Sequence, residues 1–334
     1  MKLTANRKKY LLLSLALVLV LVGGFVGWKY WKTVGLAPSP PVESVTLGLS
    51  WIHEAQFAGE YFADQNGLYR QHGLEVKLIP YDNSDLVEKL VSGEYQFAIL
   101  QGEALLQARS EGKPLVGLYV TYRVSPTVFF AKGDSGIKSP ADFAGKKVGV
   151  AYSEKTPLEA MLKYAGVDQS KVTIIDREYS YEPLLRGDYD VEAGWVTDAD
   201  TVKKLLPGPP TVIRATDYNA NIFADVIVTT EDLIKNRPDL VRNFTVATRQ
   251  GWEAALRDAD GSALLTQRYD AAADPVHLKM VMNASQPYIQ PSAGSPLGES
   301  SFAEWVRMYL ILKGQGLIAK DFGVSGAYTT DFLQ

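Results

Sequence analysis

The chain has 334 residues, 46% of them hydrophobic and 22% charged, an ordinary globular composition with room for two compact domains or one large one. It contains no cysteine, which excludes structural disulfides, thiolate zinc sites, iron–sulfur clusters, a cysteine nucleophile and a lipid-modified N-terminal cysteine. The formal net charge is −4 and is unevenly spread: the first 32 residues carry six basic and no acidic side chains, leaving 28 basic against 38 acidic in the rest. An acidic body of this kind is a poor partner for nucleic acid, and none is expected.

In chain order the first element is an uncharged run from Leu11 to Trp28, preceded by Lys2, Arg7, Lys8 and Lys9. At ~1.5 Å rise per residue the run spans ~27 Å, close to a thin bilayer core, and its basic flank keeps the N-terminus in the cytoplasm. The best signal-peptidase site, Gly35-Leu36-Ala37, is followed by Pro38, which impairs cleavage. Residues 1–32 are therefore expected to form an uncleaved single anchor in a bacterial cytoplasmic membrane, with Trp28, Tyr30 and Trp31 at the interface and the rest of the chain on the outer side. Residues 33–44 contain Ala37-Pro38-Ser39-Pro40-Pro41 and read as a stiff spacer.

From Val45 the chain alternates short β-branched runs with helical segments, which predicts an α/β architecture with mainly parallel strands. The runs are Val45–Trp51, Leu74–Ile79, Phe97–Leu100, Val116–Tyr122, Val128–Lys132, Lys147–Tyr152, Val172–Asp176, Val191–Trp195, Val212–Ala215 and Val226–Thr229. Helices are predicted near Gln56–Asn66, Leu86–Ser92, Glu103–Glu111, Pro157–Tyr164 and Thr201–Leu206. After Thr230 the pattern turns helical: Leu240, Phe244, Ala247, Gly251, Trp252 and Ala255 recur at helical spacing on one apolar face, so Trp252 reads as core. Trp305, Met308 and Leu312 read the same way.

Three segments together resemble the NMT1/THI5-like family of type II periplasmic binding proteins. The first runs from Trp51 through Asn66-Gly67-Leu68-Tyr69 to Gly73-Leu74; the second is Ser92-Gly93-Glu94-Tyr95-Gln96-Phe97-Ala98-Ile99. The third and most diagnostic is Asp217-Tyr218-Asn219-Ala220-Asn221-Ile222-Phe223-Ala224-Asp225-Val226-Ile227-Val228-Thr229-Thr230-Glu231, with Asn236-Arg237-Pro238-Asp239-Leu240-Val241-Arg242 and Gly251-Trp252-Glu253 beyond it. The resemblance covers roughly Val45 to Ala273. It implies two α/β lobes, residues 45–125 with 226–334 and residues 126–225, separated by a ligand cleft and joined by two crossovers. Loops at the carboxyl ends of strands would line that cleft.

On this topology Trp51 ends the first strand and offers a flat indole for stacking on a planar ring, or else packs at the lobe edge. Gln56 and Phe57 stand where the family often has a polar residue and a histidine, so Phe57 replaces a hydrogen-bonding ring with an apolar one and marks a possible change of ligand. His53 has no evident orienting partner and reads as a rim residue. Gln101 and Glu103 begin a helix after the third strand; Glu103 would accept from an amino-pyrimidine or merely favour the helix N-terminus. Tyr122 and Arg123 follow the fourth strand, with Arg123 either pairing with an anionic group or lying on the surface. In the second lobe Tyr152, Ser153 and Thr156 form a strand-to-helix turn, Thr156 as N-cap before Pro157 and Ser153 as a ligand donor. Glu192, Trp195 and Asp198 surround another strand end, where two acids favour a neutral or cationic ligand and Trp195 would complete an aromatic sandwich. Asn219, with Asn221 and Asp225, lies on the second crossover and either reaches ligand or fixes the turn.

No enzyme is indicated. The family's pyrimidine synthases use a lysine for pyridoxal phosphate, a reactive histidine and a cysteine-rich iron motif; aligned through Gly112 and Pro114, these positions hold Leu100 and Ala104, and no cysteine exists. His53, His72 and His277 are scattered, and GxSxG, P-loop and GxGxxG motifs are absent, so no metal and no cofactor is expected. The reading is a membrane-tethered solute-binding protein of an ABC importer, delivering a thiamin pyrimidine precursor or related vitamin-type ring to a permease and its ATPase. The alternatives are a nitrate, taurine or sulfonate receptor, and a ligand-sensing domain that signals to a membrane partner.

Overall fold

Each of the ten apolar runs folds as a strand. The structure, a computed structural model, describes residues 42–178 and 180–334. The expected anchor and all but the end of the spacer lie outside the described residues. Among those described, no helix is long and apolar enough to cross a membrane.

The strands are β1 (Glu43–Gly48), β2 (Leu74–Ile79), β3 (Phe97–Leu100), β4 (Leu115–Tyr122), β5 (Thr127–Ala131), β6 (Lys147–Val150), β7 (Thr173–Asp176), β8 (Val191–Trp195), β9 (Thr211–Arg214) and β10 (Ala224–Thr230). Seven helices shape the cleft and its support: α1 (Ala58–Gln65), α2 (Gly102–Ser110), α3 (Tyr152–Tyr164), α4 (Ala199–Leu205), α5 (Pro238–Ala255), α6 (Pro275–Ile289) and α7 (Phe302–Gly314).

The strands form two five-stranded sheets, ordered β2-β1-β3-β10-β4 and β7-β6-β8-β5-β9. The two orders are equivalent: in each, the strand that follows a crossover, β10 or β5, is inserted beside the third strand. That inserted strand runs against both neighbours, so β10 is antiparallel to β3 and β4, and β5 is antiparallel to β8 and β9. Only β1 with β2 and β3, and β6 with β7 and β8, pair in parallel. The expectation of mainly parallel sheets is thus corrected to mixed ones, because each crossover brings its strand into the sheet from the opposite end.

Both faces of each sheet are covered, which explains why the strands read as continuous apolar runs. On one face of the first sheet Ile227 joins Phe57, Tyr61, Phe97, Phe244 and Trp252; on the other, Val226 and Val228 join Leu105, Phe223, Trp305, Met308 and Leu312. Strand β5 divides similarly, Phe129 packing with Phe143 and Met161, and Val128 and Phe130 with Leu184 and Val202. Trp252 and Trp305 are fully buried, as their helical spacing predicts. Each such side chain contributes roughly 1.5–3 kcal/mol by leaving water.

Candidate functional site

Where the strands of the two sheets end, their loops converge on a cleft of about 830 Å³. The first sheet supplies Ser50 and Trp51 after β1, Tyr81 after β2, Gln101 and Glu103 after β3, and Tyr122 at the end of β4. The second supplies Ala151 to Glu154 after β6, Arg177 after β7, and Trp195, Thr197 and Asp198 after β8, while His277 and Val281 come from α6.

The loops are held by a few specific bonds. The Tyr81 amide donates to the Trp51 carbonyl at 3.0 Å, tying the first two loops together. Beneath them lies Asp225, buried at the start of β10 with φ +53°, a backbone region that non-glycine residues rarely occupy. Ser50 Oγ donates to its Oδ1 at 2.7 Å and Gln56 Nε2 to its Oδ2 at 3.3 Å. Burial pushes the Asp225 carboxyl up to about 7, against the Ser50 bond. Tyr122 is fully buried, donates to Ser285 Oγ at 3.0 Å and meets Trp195 of the other lobe edge-on, ring centroids 5.2 Å apart.

In the second lobe Glu154 Oε2 accepts from the Ala151 amide at 2.6 Å and from Arg177 Nε at 3.4 Å. Arg177 also lies 4.0 Å from Glu192 and over the ring of Tyr181. The Tyr181 hydroxyl donates to Asp198 Oδ2 at 2.6 Å, the oxygen that also accepts from the Trp195 amide. Opposite them Glu103 is 3% exposed, with no hydrogen-bond partner on Oε2. Desolvation raises its carboxyl to about 7, the Thr156 hydroxyl opposing and Glu154 and Glu159 reinforcing the shift.

Nine of the fourteen residues expected to bind ligand line the cleft: Trp51, Gln56, Gln101, Glu103, Tyr122, Tyr152, Ser153, Trp195 and Asp198. Five do not. Phe57 is fully buried and edge-on to Tyr61, because the short helix Ala55–Phe57 turns Gln56 outward and Phe57 into the core, so its side chain does not face the cleft. Arg123 makes a two-bond ion pair with Glu304, at 2.8 and 3.1 Å. Glu192 is fully buried behind Arg177. Asn219 is exposed, closing a short helix at φ +59°. Thr156 is not an N-cap: α3 begins four residues earlier, at Tyr152, because Glu154 reaches back to the Ala151 amide, and Thr156 ends up buried within the helix.

Sequence reading overlooked Ser50, Glu54, Tyr81, Arg177, Tyr181 and His277. Arg177 and Tyr81 each follow directly on a strand or its loop, so the rule that singled out Trp51 and Trp195 would have found them. Leu100 and Ala104, aligned with the synthase lysine and histidine, both line the cleft and bring neither amine nor imidazole to it. Among the described residues no group of three or more His, Asp or Glu is placed to hold a metal ion.

Two mixed sheets with one inserted strand each, joined by two crossovers around a cleft, define a type II periplasmic-binding-protein fold. The family model "NMT1/THI5 like" matches residues 54–262, and the chain belongs to that family. It is 27% identical over 315 residues, 90% of each chain, to the riboflavin-binding protein RibY of Chloroflexus aurantiacus. It is 24% identical over 241 residues, covering 69% of this chain and 72% of the relative, to the formylaminopyrimidine-binding protein of Halalkalibacterium halodurans. Among solved structures, the periplasmic aliphatic sulphonate binding protein SsuA from Escherichia coli superposes with a TM-score of 0.67 at 16% identity, covering 87% of this chain and 92% of that one.

Proposed function

We propose that the protein is the solute-binding component of an ABC importer and carries a flat heterocycle, of flavin or pyrimidine type, in its interlobe cleft. The observation that carries this reading is the aromatic lining contributed from both sides: Trp51, Tyr81 and Tyr122 from one lobe, Tyr152, Tyr181 and Trp195 from the other. Flat apolar faces with polar edges suit a conjugated ring bearing a few hydrogen-bonding groups. The cleft volume, about 830 Å³, lies within the usual range of roughly 300–1,000 Å³ for small-molecule sites and leaves room for a fused ring. Relatives named for riboflavin and formylaminopyrimidine point to the same ligand class.

Charge weighs against the sulfonate or nitrate alternative. Six acidic residues line the cleft, Glu54, Asp85, Glu103, Glu111, Glu154 and Asp198, against Lys113 and Arg177, and Arg177 is already engaged by Glu154. A small anion would enter a field of the wrong sign. The protein is a binding protein rather than an enzyme, and in this reading it works with a permease and an ATPase from an N-terminal membrane anchor. Calorimetric titration with riboflavin, formylaminopyrimidine, hydroxymethylpyrimidine, an alkanesulfonate and nitrate tests it. Binding of a heterocycle at micromolar or tighter affinity is expected; binding of the anions alone would sink the proposal.

A further inference from the structure

Among the described residues of the lining, two buried polar atoms have no hydrogen-bond partner, Ser84 Oγ and Glu103 Oε2, and only the second belongs to an ionisable group. Glu103 sits in the first turn of α2, and its side chain is enclosed where that helix faces α3 of the other lobe. Its Oε2 is buried and accepts no hydrogen bond, although Glu103 lines the cleft. An orphaned buried carboxylate oxygen is costly, and one that lines a cleft, unlike the core carboxyl of Glu60, can be given its donor by what the cleft binds. The Thr156 hydroxyl acts on the Glu103 carboxyl but leaves Oε2 without a partner. Glu154 on α3 is occupied by the Ala151 amide and Arg177, and repels Glu103 rather than pairing with it.

We propose that Glu103 is the specificity residue of the cleft and accepts a hydrogen bond from a ring N–H or amino group of the ligand. The inference rests on the heterocycle reading above and adds the edge by which the ring is recognised. Stacking between aromatic walls is tolerant of ring identity, because every conjugated ring has two faces. Discrimination therefore falls to a directional group at the ring edge, and a site built around an N–H rejects an analogue that lacks one far more strongly than an apolar wall can. A bare ring or a sulfonate has no hydrogen to give Glu103 and would leave its oxygen orphaned.

The bond also ties recognition to protonation. Glu154 and Glu159, both on α3, and the Thr156 hydroxyl are the groups that act on Glu103; among the described residues no charged side chain from the strands or from α7, which also pack on α2, contributes. Burial and these two acids hold the empty carboxyl at about 7, and an N–H donor favours the ionised form. Binding then expels a proton, so affinity rises as pH climbs through about 7.

The test uses whichever of riboflavin and formylaminopyrimidine the wild-type protein binds more tightly, with Glu103→Gln and Glu103→Leu compared by calorimetry at several pH values. The Gln variant is expected to bind more weakly, with the pH dependence gone. The Leu variant is expected to lose at least about tenfold in affinity while melting at the same temperature as wild type or higher, since an orphaned polar oxygen has been removed. Unchanged affinity in Glu103→Leu overturns the inference and leaves the heterocycle reading standing. If the Leu variant does not fold, a Gln variant that keeps the wild-type pH profile overturns it equally. Failure of wild type to bind either probe, with an alkanesulfonate bound instead, removes the heterocycle reading and this one with it.

Discussion

At the scale of single residues, the buried carboxyl groups have consequences beyond the cleft. Glu60 on α1 is wholly buried; its Oε1 accepts from Trp252 Nε1 at 3.1 Å and its Oε2 has no partner. Desolvation pushes its carboxyl up to about 8, with the Trp252 bond opposing. Its folded pKa therefore lies above the unfolded value, so the folded state holds the proton longer. The stability this gives is complete below about 4.5 and is lost as pH rises through about 8, at up to about 1.4 kcal/mol per pH unit for one group. Thermal melting should fall from pH 5 to pH 9 in wild type, and Glu60→Gln, which keeps an acceptor for Trp252 but cannot ionise, should melt higher than wild type at pH 8.5. Equal pH dependence in the two proteins would count against this account. None of this was legible in the sequence, where Glu60 is one more acid on a helix and the indole that holds it stands 192 positions away. The same distance problem hid the attachment of Arg123 to Glu304, 181 positions on, whereas residues placed simply by following a strand, such as Trp51, Gln101 and Trp195, were readable.

At the scale of elements, helix α5 shows how far local periodicity reaches. The apolar face read from Leu240, Phe244, Ala247, Gly251, Trp252 and Ala255 is buried throughout. What periodicity does not reveal is why one member is glycine. A Cβ on Gly251 would overlap the Gly59 carbonyl of α1 and crowd Ala63, and one on Gly59 would overlap the Trp252 ring, so the two helices cross at a point where neither has space for a methyl group. Gly251→Ala is expected to destabilise the protein by about 1–3 kcal/mol through overpacking, leaving the affinity of the folded fraction unchanged. Chemical denaturation read beside ligand titration checks both halves. The start of α3 shows the opposite case. Thr156-Pro157 carries the usual signature of a helix start, yet the helix begins at Tyr152, because Glu154 supplies the cap from the third position inside the helix to a residue, Ala151, that has no capping side chain.

For the molecule as a whole, the two crossovers are tied to each other by one side chain. Asn221 on the second crossover accepts from the Ser125 amide at 2.7 Å and donates to the Arg123 carbonyl at 3.2 Å, clasping the first crossover with a single side chain. Asn219 and Asp225, both with positive φ, bracket it. Across the lobes, Gln315 Nε2 donates to the Thr156 carbonyl at 3.0 Å and Lys163 Nζ to the Gly314 carbonyl at 3.3 Å. If the clasp holds the lobes together, removing it should favour arrangements in which they are apart, and apparent affinity should fall with the fraction of closed protein. Asn221→Ala should therefore weaken ligand binding by about 3- to 10-fold without touching the cleft, and small-angle scattering should show a larger unliganded molecule. An unchanged affinity would mean that the clasp does not set the balance. The two-lobed plan was legible because ten short apolar runs are a local signal. The antiparallel half of the pairings was not, since strand direction depends on which lobe a segment crosses into.

The equivalent sheet orders conceal an inequality of timing. All five strands of the second sheet come from one uninterrupted stretch, Thr127 to Arg214, whereas the first sheet needs β10 from beyond it. As the polypeptide emerges from its N-terminal end, β3 and β4 have no shared neighbour until the whole inserted lobe has been made. The inner lobe can complete itself first, and the outer one, despite being started earlier, closes last around it.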